Sequence, residues 1–116
     1  MNIAAWNVRG LNQPLKQMEV RKYISGSSLG IIGLSETKVR TPNIESTCKQ
    51  ISTSFSYFGN HSNHGVARIL LLWDPMAVKI NIITSSSQAV FCHIDHQVLS
   101  MDFFATFVYA SKYASK

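Results

Sequence analysis

Charge is scarce in this 116-residue chain. Asp, Glu, Lys and Arg make up only 15% of it, against roughly 25% in an ordinary soluble domain. A surface so poor in charge implies apolar ground that expects a covering partner. Cysteine is scarcer still: Cys48 and Cys92 are the only two. They lie far apart with no CxxC spacing, which excludes a zinc knuckle and a disulfide framework. Both read as reduced, buried thiols, with a single disulfide as the alternative. No run approaches the ~20 apolar residues of a membrane span. Met1-Asn2 lacks the basic start of a secretory leader, so the expected location is intracellular, with the nucleus as its narrower form. Gly-rich phosphate loops, GxSxG and a Ser-His-Asp order are also missing, which removes the chemistries those motifs serve.

What is present points elsewhere. Eleven Lys and Arg against six Asp and Glu leave a net charge of +5, a balance that favours polyanions such as nucleic acid. The hydrophobic share of 46% supplies a packed core, and the length suits one domain over 1–116 or a piece of a larger one. Asn2 to Asn7 reads as a short buried strand, and Gly10 to Pro14 as a turn leading into a helix that ends at Ser25. Leu29 to Ser35 is a second buried strand, continuous enough in apolar character to be covered on both faces. Strand, helix, strand at this spacing predicts a parallel pair. Lys38 to Pro42 reads as a polar loop and Pro42 to Ser54 as a helix. Then "FSYFG", "VARILLLW", "AVKINIIT", "AVFCHIDH" and "VLSMDFFATFVYA" follow as closely spaced strands of an antiparallel meander. The class is α/β.

Three polar groups fall at strand ends: Asn7, Glu36 and Tyr109. Functional groups gather at the carboxyl ends of parallel strands, and Asn7 and Glu36 close the predicted pair. A carboxylate such as Glu36 suits Mg²⁺, which takes one or two carboxylates and fills its shell with water and phosphate oxygens. Asn7 offers an orienting amide, and Tyr109 a phenol able to donate to a phosphate oxygen or leaving group. Lys38 and Arg40 add phosphate contacts. Taken singly, each also has a plainer reading: a solvated carboxylate, a turn former, a core tyrosine with its hydroxyl at the rim. The histidines at 61, 64, 93 and 96 have neither helical i, i+4 spacing nor, at the first pair, an adjacent cysteine. They read as loop and strand-end residues, with His93 and Asp95 sharing a face and His96 on the other.

Four blocks, taken in order, carry a family resemblance: "WNVRGL" (Trp6 to Leu11), "GLSETK" (Gly33 to Lys38), "GVARILLLWDP" (Gly65 to Pro75) and "FFATFVYAS" (Phe103 to Ser111). Together they resemble the endonuclease/exonuclease/phosphatase superfamily, specifically the endonuclease domain of plant LINE-type (non-LTR) retrotransposons. The resemblance implies a four-layer α/β sandwich, two mixed sheets face to face with helices outside, and Mg²⁺-dependent hydrolysis of phosphodiesters. It matches Glu36 to the metal-binding glutamate, Asn7 to the active-site asparagine that also faces the metal site, and Tyr109 to the tyrosine near the scissile phosphate. Arg9, Lys38 and Arg40 become candidate DNA contacts. Arg9 stands where some relatives carry an acidic residue, and Lys112 where an asparagine often follows "YAS".

The family's later blocks, an Asp-x-Asn pair and a terminal Asp-His pair, have no counterpart in these residues. The expectation is therefore a truncated sandwich: the N-terminal part of a DNA-nicking endonuclease, catalytically incomplete, its second sheet largely missing and prone to self-association through the exposed sheet. The alternatives are a non-enzymatic basic nucleic-acid-binding or interaction module, and a pseudogene product.

Overall fold

Residues 2–61 and 65–109 are described by the structure, a computed structural model. Along the chain run β1 (Asn2–Asn7), α1 (Pro14–Ser25), β2 (Leu29–Arg40), a 3₁₀ turn (Thr41–Asn43), α2 (Ile44–Ile51), β3 (Ser56–Gly59), β4 (Val66–Trp73), β5 (Val78–Ser85), β6 (Ala89–His96) and β7 (Met101–Val108). Pro14 opens α1, where its missing N–H costs no intrahelical bond. α2 buries Ile44, Thr47, Cys48 and Ile51, the spacing of one helical face.

The strands form two sheets, one ordered β1-β2-β4-β3 and the other β5-β6-β7. β1 and β2 are parallel, as expected for a crossover through α1. β4 lies antiparallel between β2 and β3, and β5 to β7 form the meander. Alternation along the first sheet sends Ile32, Leu34, Leu70 and Leu72 toward Val20, Ile24, Cys48 and Ile51 of the helices. The intervening Ile31, Ile69 and Leu71 meet Val90, Cys92, Ile94 and Phe107 of the second sheet. The result is three layers, helices on sheet on sheet, an α/β sandwich with one helical face. At Gly33 the sheets approach so closely that an added Cβ would overlap the Phe107 ring, which explains a glycine in a central strand.

Three expectations are corrected. The second sheet is present with three strands and packs on the centre of the first, where Ile31 and Leu71 are fully buried, while Ile3 on the edge strand β1 stays 43% exposed. Its strands carry their own apolar face, so they pack whatever follows in sequence. The stretch Lys38 to Arg40 is not loop but the end of β2, which resumes pairing with β4 at Val39 after an irregularity. The helix expected over 42–54 is shorter, ending at Ile51, where Ser52 turns extended and its Oγ accepts from the amides of Ser54 and Phe55. Ser52 thus offers the backbone bonds that compete with the helix.

Asn60 ties the two sheets together at one end. It is buried; its Oδ1 accepts from the amides of Arg68 and Ile69 at 2.9 and 2.8 Å, and its Nδ2 donates to the Ser86 carbonyl at 2.9 Å. Both thiols are unpaired and buried, as expected. Burial pushes Cys48 up to about 12 and raises Cys92 as well. No helix among the described residues is long and apolar enough to cross a membrane.

Candidate functional site

Past Asn7 the chain continues beside β2 instead of leaving it. The amide of Val8 donates to the Ser35 carbonyl at 3.0 Å, that of Gly10 to Glu36 at 2.7 Å and that of Leu11 to Thr37 at 2.9 Å. Asn7 pairs with Ser35 in register, so the residue after Ser35, Glu36, sits at the adjoining tip. The first two predicted site residues therefore come together on one rim.

The backbone there is strained. Arg9, Glu36 and Lys38 hold φ values of 53°, 57° and 58°, a region that costs a non-glycine residue of order 1 kcal/mol or more and recurs at functional sites. Specific bonds hold it. Asn7 Oδ1 accepts from the Arg9 amide at 3.2 Å, Asn12 Nδ2 donates to the Lys38 carbonyl at 2.9 Å, and the buried Thr37 hydroxyl donates to the Ala67 carbonyl. Between the pairs Ser35 with Ile69 and Val39 with Ala67, three residues of β2 face the single residue Arg68 of β4. That bulge lifts Glu36 out of the apolar ladder to a half-buried position, with Lys38 and Arg40 exposed beside it and Arg9 exposed on the β1 tip.

Tyr109 directly follows β7. Its amide donates to the Gln88 carbonyl at 2.7 Å, and its ring packs at the margin of the inter-sheet core. Arg68 lies against that ring, with its guanidinium carbon 5.7 Å from the centroid. Because Arg68 is the residue opposite the Glu36 bulge, it links the tyrosine to the same end of the sandwich. Sequence reasoning missed Arg68, although a single charge inside "VARILLLW" was a visible signal. It also missed Asn60, which looked like any other polar residue of its loop.

The donor set at the tips is one carboxylate and one amide oxygen, hard ligands that suit Mg²⁺ in a shell completed by water and phosphate. Among the described residues no group of three His, Cys, Asp or Glu could hold a metal ion. The histidines sit elsewhere. His93 Nε2 pairs with Asp102 Oδ2 at 2.8 Å on the outer face of the second sheet, and His96 is buried with Nδ1 accepting from the Leu99 amide at 3.0 Å. His64 lies outside the described residues. A cavity of about 520 Å³ opens at the far end of the first sheet, by Arg21, Lys49 and Asp74. The last turns of α1 and α2 end there, and Lys49 is committed to Glu45 at 2.8 Å.

No family model matches this chain, and no curated protein matches it. Solved structures do. The AP endonuclease LMAP from Leishmania major aligns with a TM-score of 0.66 at 12% identity, over 92% of this chain and 39% of its own. A functionally unknown conserved protein from Enterococcus faecalis V583 aligns at 0.67 and 14% identity, over 94% of this chain and 52% of its own. TDP2 from C. elegans aligns at 0.54 and 13% identity, over 94% of this chain and 36% of its own. The chain thus spans between about a third and a half of the structures it resembles. Over the aligned residues its fold is that of the AP endonuclease and of TDP2.

Proposed function

We propose that these residues are the N-terminal part of a Mg²⁺-dependent phosphodiesterase acting on DNA, derived from a LINE-type endonuclease and catalytically incomplete within this chain. The observation that carries the reading is the strained, hydrogen-bonded meeting of the Asn7 and Glu36 tips, with the Gly10 amide on the Glu36 carbonyl at 2.7 Å. A strand end held in this way positions chemistry on a rigid scaffold. The blocks around Trp6, Gly33, Gly65 and Phe103 support the retrotransposon origin, and the net charge of +5 supports a nucleic-acid partner.

In this reading Glu36 holds the cation and Asn7 orients a ligand beside it. Tyr109 donates from its phenol to a phosphate oxygen, and Arg9, Lys38 and Arg40 contact the backbone. A bound Mg²⁺ supplies charge stabilisation for the phosphoryl oxygens. What these residues lack is a base for the attacking water, a deficit worth roughly 10²–10⁴ in rate.

Plasmid nicking in Mg²⁺ tests the assignment. The expected result is no nicking by this chain beyond a Glu36→Ala control, together with Mg²⁺ binding that the same substitution abolishes. Nicking above the control would overturn catalytic incompleteness. Mg²⁺ binding indifferent to Glu36 would overturn the site, and the basic nucleic-acid-binding module would become the better reading.

A further inference from the structure

Arg68 is the least expected residue of the molecule. Seven of the eight residues of β4 are apolar, and four in a row, Ile69 to Leu72, are buried. A guanidinium in such a strand needs a reason, because an apolar residue would seat there without desolvating a charge. Its main chain is fixed by Asn60 Oδ1 at 2.9 Å, and its guanidinium carbon lies over the Tyr109 ring, 5.7 Å from the centroid. Among the described residues the ion pairs are Lys16 with Glu19 and Lys49 with Glu45, and His93 is hydrogen-bonded to Asp102. None of them involves Arg68, and none of the side-chain hydrogen bonds there uses its five N–H groups as donors.

We propose that Arg68, seated on Tyr109 and facing the Glu36 bulge, is a phosphate clamp for a nucleic-acid backbone. The chemistry follows from the geometry. A cation–π contact uses the charge of a guanidinium and none of its N–H groups, which stay free to donate. That fork matches two oxygens of one phosphate, a contact a lysine cannot reproduce. Arg68 is the β4 residue opposite Glu36, Thr37 and Lys38 at the irregularity in the β2–β4 pairing, which puts it next to the strand tip whose carboxylate would take the cation. Arg68 and the cation would thus grip one phosphate from two sides. Tyr109 then has a second role as the platform that keeps the fork from wandering. The assignment rests on the reading of this rim as a nucleic-acid site, but it does not require catalysis.

The test is binding of a 20-base-pair DNA duplex across a salt series, in EDTA so that no cleavage enters. Losing one phosphate contact lowers the slope of log affinity against log salt by about 0.9. Arg68→Gln should show that drop, with affinity down about tenfold at low salt. Arg68→Lys should keep the slope but lose several-fold in affinity, and Tyr109→Leu should do the same. Thermal melting verifies that each variant folds; should Arg68→Gln fail to, the other two still decide. Wild-type affinity and slope in Arg68→Gln, or full affinity in both Arg68→Lys and Tyr109→Leu, would overturn the clamp, as would an absence of salt-dependent binding by the wild-type chain. Mg²⁺ binding is read separately through Glu36, so failure of the clamp and failure of the cation site are distinguishable.

Discussion

The two sheets of this molecule are treated differently by their surroundings. The central strands of the first are covered on both faces, and β2 is buried without interruption from Leu29 to Leu34, with exposure confined to edge residues such as Ile3 and Tyr57. The second is covered on one face only, and β6 alternates between half-buried and buried at every step. The bare face carries Phe104, 63% exposed and stacked 5.7 Å from Phe91, with His93 bonded to Asp102 nearby. One sheet is a core; the other is a lid with an unfinished outer surface. Stability should therefore concentrate in the first, and association in the second.

Substitutions can sharpen or break that contrast. The largest expected loss is in the doubly covered sheet: Leu70→Ala, at a fully buried position, should cost roughly 2–5 kcal/mol in chemical denaturation. Next comes the tie between the sheets. Asn60→Ala strips the buried Ile69 amide, the half-buried Arg68 amide and the Ser86 carbonyl of their partners, and should cost about 2 kcal/mol or more. If it does not, the sheets are held by apolar packing alone.

A smaller effect appears at alkaline pH. Cys48 ionises near 12 when folded but near 9.0 ordinarily, because of burial. The native state then keeps a proton that the unfolded state releases. Its contribution is complete below pH 9 and declines as pH rises toward 12, with a slope of at most ~1.4 kcal/mol per unit. Cys48→Ala should flatten that decline in urea titrations above pH 9.

The smallest change in stability belongs to the bare face. Phe104→Lys should move it by no more than about 0.5 kcal/mol, yet reduce self-association in sedimentation velocity. β7 runs eight residues without Pro, Gly or bulge and, among the described residues, pairs along one edge only, the kind of strand other chains join. Equal association by wild type and variant would break the contrast between a finished and an unfinished sheet.

Much of this was legible in the sequence, and the misses have physical causes. Leu29 to Leu34 announced a strand covered twice because no polar residue interrupts it. The β2 extension through Lys38 to Arg40 was hidden because its alternate residues Lys38 and Arg40 face water, which in sequence resembles a loop. The second sheet was harder to read because none of its strands pairs with the first. Its own inner face, Val90, Cys92 and Ile94, was already spelled out at period two. At the site, Asn7 and Glu36 were readable as polar tips on apolar strands. Arg68 was visible as a lone charge in an apolar strand, but its place opposite Glu36 is set by a bulge that no spacing rule reveals.

The central claim is that one cation site lies at the tips of β1 and β2. Replacing Mg²⁺ with paramagnetic Mn²⁺ and recording ¹⁵N-resolved spectra locates the ion directly. Line broadening should centre on the amides of residues 7–10 and 36–38 and vanish in Glu36→Ala. Broadening centred on His93 and Asp102, or unchanged by loss of the Glu36 carboxylate, would contradict the account.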